Sequence, residues 1–468
     1  MSKLGDKLNY GSMKSEAAAS REITQVIPTR SGTSFVENQT IEFELPSNRP
    51  QEFLDMVNNV KIKLPVTLAV AAATLDRGGA YGFIRSIELT QNGVPICDVA
   101  KSNVLITALS DFQMSSAYKS TTGRLLEGFE GDCLRGAIMA DASSRTFYLS
   151  LLATNLAMTT PHRDLYMGSS APIIVRLTLE SHILAYSSVD GTATYTVNLP
   201  ELHIKTTFIE KAGMDELNSA VKGNYQMLCN TYDHQSHSLA AGTTAAHIKL
   251  SFAKASLERI MFVMRPDTVT STTAGGAGGG AKFSLGGRTT SGIQSYQLSV
   301  NGQQYPQVPI RHDPQGADFM YHLLAADNLA SNYSQGTGNL VGGLTLGAGL
   351  AAAAQTTASL GSNPEIPKAN SYMLNGAAAL ATEVGTGITG AQLGSNIGTF
   401  IGAINLEGGL ITSGNAPLYS GINTLNGVDL YIDMAFAVGG LACTIDFFAL
   451  STELIYLDSQ TNLWARRS

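Results

Sequence analysis

The sequence predicts an all-β fold of two consecutive eight-stranded jelly rolls, with short helices in the loops. Three observations lead to this prediction. Apolar residues alternate with period two in many short runs, most clearly at every second position of 428–438, as in strands with one buried face. Asn-Gly pairs at 92–93 and 301–302 suit tight turns that need positive φ. A series of strands, a helix and further strands occurs twice, and many short strands indicate sandwiches or barrels.

The composition supports two domains and a chain that packs against partners. The chain has 468 residues, and single cores tend to stop growing beyond roughly 250–300 residues. It is 44% hydrophobic and only 14% charged, with 47 glycines, whereas about 25% charged residues is usual. Obligate interfaces are poor in charge. The formal net charge of −7 argues against a global basic surface for nucleic acid.

The cysteines indicate a reducing compartment. Cys97, Cys133, Cys229 and Cys443 are widely spaced and form no CxxC pair, which favours free thiols. Cys443 falls on an apolar strand face, so it is predicted to lie in a core. The N-terminal stretch lacks the apolar region of a secretory signal, and no run of about 18 apolar residues predicts a membrane-spanning helix.

The first half is interpreted as an arm and a jelly roll. Residues 1–30 are polar and unpatterned and are assigned to an N-terminal arm, and 31–210 are assigned to jelly roll 1. Within the roll, residues 102–118 show helical spacing, whereas the other patterned runs alternate like strands. The predicted strand regions are 33–46, 60–70, 83–99 (a hairpin), 146–154, 171–184 and 194–210.

The second half repeats this organisation. Residues 211–224 are assigned to a linker, 225–458 to jelly roll 2 and 459–468 to a C-terminal tail. A helix is predicted over 318–333. Residues 335–400 are rich in Gly, Ala, Ser and Thr and are interpreted as a surface insertion with little core of its own. The predicted strand regions are 246–252, 256–266, 293–310 and 426–458.

The last of these regions is predicted to form a long hairpin. The even-numbered residues of 428–438 should be buried, with Asp429 and Asp433 facing solvent or a neighbouring subunit. Gly439 and Gly440 would supply the turn. A second alternating run, which includes Cys443, would form the returning strand.

No catalytic, cofactor-binding or metal-binding residues are predicted. His234 and His237 form an HxxH pattern, but their flanks indicate a polar loop. The glycine-rich stretch 275–282 lacks the Gly-Lys-Ser/Thr of a P-loop and is interpreted as a mobile loop. Residues 162–164 copy three letters of the kinase catalytic loop without the rest of that signature set. Trp464 could stack on a base or sugar, but anchoring the tail is favoured.

The order of segments resembles the double jelly-roll major capsid proteins of tailless icosahedral DNA viruses, in the branch of polinton-like viruses, virophages and large eukaryotic DNA viruses. The resemblance covers most of 31–458 and rests on segment order and pattern. It is carried by residues 43–66, 145–180, 253–266 followed by 295–310, and the closing hairpin. The insertion at 335–400 has no matching counterpart.

The resemblance implies a structural protein of the virion that is not an enzyme. It implies homotrimeric, pseudo-hexagonal capsomers that contact neighbouring capsomers, penton proteins and minor or cement proteins, with no cofactor and no small-molecule substrate. Synthesis inside the host cell, without secretion, is expected. The weakly basic termini, including Arg466 and Arg467, are candidates for weak contact with the genome or an internal membrane.

Two other classes remain open at this stage. A carbohydrate- or receptor-binding jelly roll would suit the fold, but the sequence has one Trp and no evident calcium cluster. A β-sandwich enzyme would need converging carboxylates or a metal triad, and none is visible in the sequence.

Overall fold

The computed structural model gives the architecture of most of the chain. It describes residues 20–69, 73–129, 135–139, 144–159, 163–187, 194–270, 284–288, 291–311, 317–326, 400–406, 421–425, 427–437 and 442–467. The predicted insertion therefore lies outside the described residues except for Phe400, and so do Cys133 and the glycine-rich stretch 275–282.

The first half contains fifteen described strands and four described α-helices. The strands are β1 (Ser20–Pro28), β2 (Ser34–Val36), β3 (Thr40–Glu44), β4 (Glu52–Leu54), β5 (Val60–Leu68), β6 (Ala73–Asp76), β7 (Ile84–Gln91), β8 (Val94–Val99), β9 (Arg135–Met139), β10 (Ser144–Leu149), β11 (Leu165–Tyr166), β12 (Ile173–Leu179), β13 (Tyr186–Ser187), β14 (Tyr195–Asn198) and β15 (Glu201–Ile209). The helices are α1 (Ser102–Gln113), α2 (Ser116–Ser120), α3 (Thr122–Leu126) and α4 (His182–Ala185). Two short 3₁₀ helices cover Gly79–Phe83 and Asn155–Ala157.

The second half follows the linking helix α5 (Lys211–Val221). Its described strands are β16 (Gln226–Leu239), β17 (Ala245–Leu250), β18 (Leu257–Pro266), β19 (Ile293–Val300), β20 (Gln303–Arg311), β21 (Gly402–Asn405), β22 (Leu430–Phe436), β23 (Cys443–Leu457) and β24 (Trp464–Arg467). Its described helices are α6 (Asp267–Thr270) and α7 (Ala317–Ala326).

Each half contains a sandwich of two antiparallel sheets with the same strand order, and the first half also has a separate three-stranded sheet in the order β13-β6-β9. In the first roll, sheet I contains β1-β15-β5-β10, extended by β2, β4, β11 and β14, and sheet II is β3-β12-β7-β8. In the second roll, sheet III is β16-β23-β18-β21 with β24 on β23, and sheet IV is β17-β22-β19-β20. Eight strands of one roll thus correspond, in chain order and in neighbours, to eight of the other. The prediction of two eight-stranded jelly rolls is confirmed.

Alternating burial explains why these segments form strands. The residues of β5 and β12 alternate between buried and half-buried positions, so one face of each strand enters the core. Both predicted Asn-Gly hairpins are present: φ is 50° at Asn92 and at Asn301, and 79° and 78° at the following glycines. Positive φ at both central residues matches the twist of the flanking strands. The turns join β7 to β8 and β19 to β20.

The predicted closing hairpin is wrong in its pairing. β22 lies in sheet IV between β17 and β19, whereas β23 lies in sheet III between β16 and β18. The chain crosses from one sheet of the sandwich to the other, which alternation cannot distinguish from a hairpin. The predicted burial is confirmed for Leu430, Ile432, Met434 and Phe436, whereas Val428 is only half-buried and Val438 lies outside the described residues.

The chain ends also differ from the prediction. Ser20–Pro28, assigned to the arm, forms β1 and pairs with β15 along its whole length. β1 is an edge strand, and its outward side chains are exposed. The alternation of buried and exposed residues is therefore weak, and the sequence pattern does not predict this strand. Residues 464–467 of the predicted tail form β24 on β23.

The predicted helices are present where the structure describes them. Helix α1 and helix α7 each follow the Asn-Gly hairpin of their roll; α1 lies within the predicted range 102–118, and α7 begins one residue before the predicted range 318–333. The predicted linker 211–224 contains α5. Buried apolar residues of the two rolls form one hydrophobic cluster.

Candidate functional site

The candidate metal ligands His234 and His237 do not converge. Both lie on β16, and residues three apart on a strand point to opposite faces. The predicted polar loop is therefore wrong: the segment is a strand, and His234 Nε2 lies 2.8 Å from Oδ1 of Asp446. Among the described residues, no group of three or more His, Cys, Asp or Glu side chains could hold a metal ion. No helix in the described ranges is long and apolar enough to span a membrane.

Trp464 anchors the C-terminal segment, as favoured from the sequence. It begins β24 and is 3% exposed. Its backbone N–H donates to Oε1 of Gln91 in the first roll, at 2.7 Å. The neighbouring Asn462 donates through its amide to the carbonyl of Gly168, at 3.0 Å. The segment therefore joins the two rolls, and Trp464 is not available for base stacking.

The outer face of sheet III is buried although it lies outside the sandwich core of the second roll. Phe262 points into the second core, where its ring packs against Tyr296 at 5.0 Å. Met261 and Val263 must therefore point away from that core, yet both are buried. Phe448 on β23 is buried on the same outer face. The first roll covers this face, which is why every residue of β18 is buried.

A buried ion pair lies at the edge of this covered face. Arg265 donates from Nη2 to Oδ2 of Asp446 at 2.7 Å, and His234 Nε2 lies 2.8 Å from Oδ1. Burial opposes ionisation of Asp446, but the charge of Arg265 and the hydrogen bond with His234 outweigh it, so the pKa of Asp446 falls below its usual range. The arrangement fixes the two central strands to each other and supplies no reactive group.

A second charged cluster crosses from one roll to the other. Asp111 on α1 binds Arg77 Nε at 2.6 Å and Lys119 Nζ at 3.2 Å. Arg288 of the second roll also pairs with Asp111. All four side chains are buried. Arg288 therefore ties the second roll to the first through Asp111, whose removal would leave three buried cations without this carboxylate.

The segment 284–288 enters the first roll beside this cluster. Asp76 accepts hydrogen bonds from the backbone N–H groups of Leu285 and Gly286, at 2.7 and 2.8 Å. Burial raises the pKa of Asp76 to about 6, although these hydrogen bonds oppose the shift. Ser284 donates to the carbonyl of Leu184 at 2.7 Å. Residues 284–288, which follow the predicted mobile loop 275–282, are thus buried and connect the rolls.

Helix α1 lies over sheet III and leaves one cavity between them. The cavity has a volume of about 350 Å³. Ile106, Leu109 and Met114 line it from the helix, and Tyr232 and Leu450 line it from the sheet. Residues 102–111 of α1 are all buried, because one side of the helix contacts its own roll and the other side contacts sheet III.

The corresponding outer face of sheet I is partly exposed and charged. Lys63 on β5 pairs with Glu201 on β15 at 2.9 Å, and their side chains are 29% and 31% exposed. His203 approaches the same carboxylate at 3.1 Å, and Lys205 pairs with Glu22 of β1. The face therefore resembles ordinary protein surface, although it occupies the same place in its roll as the covered face of sheet III.

The described thiols have no reactive environment. Cys97, Cys229 and Cys443 are free and buried, and burial raises the pKa of each to about 12. Such thiols are inert at neutral pH. Cys443 lies in the core as predicted.

Sequence reasoning missed the covered face of sheet III and the residues that seal it. The available signal was the length of apolar runs: residues 260–264 are apolar without alternation, which indicates a strand buried on both faces. The cross-roll partners Leu285 of Asp76 and Arg288 of Asp111, and the partner Arg265 of Asp446, lie 209, 177 and 181 residues away in sequence, so no local pattern could reveal them.

Comparison with solved structures shows the same fold over nearly the whole chain. A model of the PBCV-1 virus capsid aligns with a TM-score of 0.59 and 9% identity, covering 98% of this chain and 100% of that chain. The Sputnik virophage structure aligns with a TM-score of 0.58 and 10% identity, covering 100% and 92%. The Faustovirus major capsid protein aligns with a TM-score of 0.56 and 10% identity, covering 95% and 91%.

The sequence itself gives no comparable match. No protein-family model matches the chain, and a search of curated proteins finds no significant match. The strand order and the structural alignments together show that this chain has the double jelly-roll fold of these viral capsid structures.

Proposed function

We propose that the protein is a major capsid protein whose homotrimers form pseudo-hexagonal capsomers that tile an icosahedral shell. The observation that carries the proposal is the presence of two equivalent eight-stranded rolls in one chain, aligned end to end with viral capsid structures. Three copies of a chain with two equivalent rolls supply six similar units, which suits a hexagonal lattice. The buried cross-roll contacts make each chain one rigid building block.

The proposal includes the partners and location implied by the fold. Capsomers would contact neighbouring capsomers, penton proteins and minor or cement proteins in the virion. The chain would be made inside the host cell and would not be secreted. Residues before β1 and the end of β24 would lie toward the interior of the particle, in weak contact with the genome or an internal membrane. We keep 335–400 as an outer insertion of the second roll in this proposal.

Analytical ultracentrifugation with negative-stain microscopy of the purified full chain tests the proposal. We expect a species of about three times the chain mass of 49.3 kDa, with hexagonal outlines in projection. Its melting temperature should rise with protein concentration, because association stabilises the folded chain by mass action. A monomer that persists at tens of micromolar, with a concentration-independent melting temperature, would contradict the proposal and favour a carbohydrate- or receptor-binding protein.

A further inference from the structure

The two rolls use equivalent strands but differ in what covers them. β1, β15, β5 and β10 of sheet I correspond in order to β16, β23, β18 and β21 of sheet III. The outer face of sheet III is buried under the first roll of the same chain. The outer face of sheet I has no such cover among the described residues, and Glu201, His203 and Lys205 remain about one-third to two-fifths exposed there.

The elements that cover sheet III also differ from their equivalents in the second roll, which are exposed. In the first roll, α1 lies on sheet III and is buried over 102–111, and β8 packs beside β16. Their equivalents in the second roll are α7 and β20. Helix α7 buries Phe319 and Leu323 but leaves Tyr321 61% exposed, and Val308 of β20 is 67% exposed. The β20–α7 surface of the second roll is thus exposed, whereas the equivalent β8–α1 surface of the first roll is covered.

The outer face of sheet I and the β20–α7 surface can pack against each other in the same way as sheet III and the β8–α1 surface pack within the chain. Within the chain, β8 packs beside β16, the first strand of the next roll. The equivalent contact for β20 is β1, the first strand of the first roll. Val26 of β1 is 52% exposed and lies on the outer face of sheet I, since it pairs with the outward-facing His203. Both strands of the equivalent pair thus carry an exposed valine.

We propose that the outer face of sheet I binds the β20–α7 surface of a second copy of this chain. The inference rests on the proposed homotrimer and identifies its contact surfaces. The interface is heterologous, because each copy uses sheet I toward one neighbour and β20–α7 toward the other. A heterologous contact that repeats the internal relation of the two rolls closes into a ring of three chains when that relation is a rotation of about one sixth of a turn, which is the geometry the proposed homotrimer requires.

Two single-site variants test the two sides of this interface. Val26→Asp places a charge on the sheet I side, and Tyr321→Asp places one on the helix side. A charge without a partner is costly in a desolvated contact. We expect each variant to raise the dissociation constant of the trimer by about tenfold or more in sedimentation velocity runs. Val94→Asp is the matched control, since Val94 is 60% exposed but lies outside both surfaces.

Mixing the two variants provides the sharper test. In a heterologous interface, the intact β20–α7 surface of the Val26→Asp chain can bind the intact sheet I of the Tyr321→Asp chain. We therefore expect heterodimers at a concentration at which each variant alone is monomeric. Unchanged melting of the dilute monomers shows that both variants fold.

The outcomes separate this inference from the proposed function. If the unmodified protein forms trimers and both Asp variants assemble as tightly as the Val94→Asp control, the surfaces are wrong and the capsomer proposal stands. If each variant alone is monomeric and the mixture shows no heterodimer, the contact is not heterologous and the inference fails. If the unmodified protein remains monomeric at tens of micromolar, the capsomer proposal and this inference both fail.

Discussion

The outer faces of sheets I and III have the same strand order and opposite surface chemistry. The face of sheet III presents Met261, Val263 and Phe448, all buried. The face of sheet I presents Lys63 and Glu201, both about 30% exposed. The first face is largely covered by its own chain in the folded state. The second is in water whenever the chain is unassembled, so charged side chains there keep the free chain soluble.

Under the proposed assembly, one architecture would serve two kinds of contact. A permanent contact within a chain can use an apolar surface with sealed ion pairs, as a domain core does. A contact that forms after folding has to use side chains that also tolerate water. Substitutions at equivalent places in the two faces should therefore lower the free energy of unfolding by very different amounts.

The largest expected effect is the loss of the buried carboxylate on sheet III. Asp446→Ala would leave Arg265 buried without its ionic partner, at a cost of about 4–5 kcal/mol in the free energy of unfolding. Urea denaturation at fixed protein concentration measures it. The matched change on sheet I, Glu201→Ala, should cost less than about 1 kcal/mol, since its ion pair with Lys63 is exposed and screened. Similar costs for the two variants would contradict the distinction between the faces.

The next effect concerns apolar packing under the first roll. Phe448→Ala removes a side chain that is 1% exposed, and the resulting cavity should cost about 3–4 kcal/mol. Tyr148→Ala on the outer face of sheet I is the matched aromatic control, because Tyr148 contacts His203 at the half-buried surface. It should cost about 1 kcal/mol. A loss below about 1 kcal/mol for Phe448→Ala would mean that the first roll does not seal sheet III.

The smallest expected effect is a pH dependence at the junction of the rolls. Because burial raises the pKa of Asp76 from 3.8 to about 6, the folded chain binds more protons than the unfolded chain between those values. The contribution of this group is fully present below about pH 4 and is lost as pH rises through 6. At about 1.4 kcal/mol per pKa unit, the loss is about 2–3 kcal/mol.

Asp76→Asn measures this contribution, because the amide does not titrate. From pH 4 to pH 7, the unmodified chain should lose about 2–3 kcal/mol in the free energy of unfolding through Asp76. The Asp76→Asn variant should not show this loss, so its stability relative to the unmodified chain should rise by that amount. Urea titrations at both pH values provide the measurement, and the absence of any relative shift would place Asp76 in a polar, hydrated setting.

The sequence predicted the elements well because their causes are local. Alternation in 60–68 and the Asn-Gly turns at 92–93 and 301–302 follow from side-chain periodicity and backbone φ, which a sequence displays directly. The duplicated organisation was readable for the same reason. The edge strand β1 was missed because exposed strands need no alternation.

The pairing of strands and the junction of the rolls could not be predicted in this way. β22 and β23 are neighbours in sequence but lie in different sheets, and that choice depends on the whole sandwich. The partners of Asp111, including Arg288, come from distant segments. Which face the chain itself covers depends on tertiary contacts that no short window contains.

Lysine-directed labelling as a function of protein concentration tests the central claim most directly. Lys63 and Lys205 lie on the outer face of sheet I, and Lys249, which is 59% exposed, lies on the outer face of sheet IV. The equivalent face of sheet II remains exposed within the chain, as Arg176 there is 38% exposed, so Lys249 should stay reactive in the assembled protein. We predict that assembly suppresses labelling of Lys63 and Lys205 severalfold and leaves Lys249 unchanged. Equal labelling of all three lysines in monomer and trimer would contradict the account.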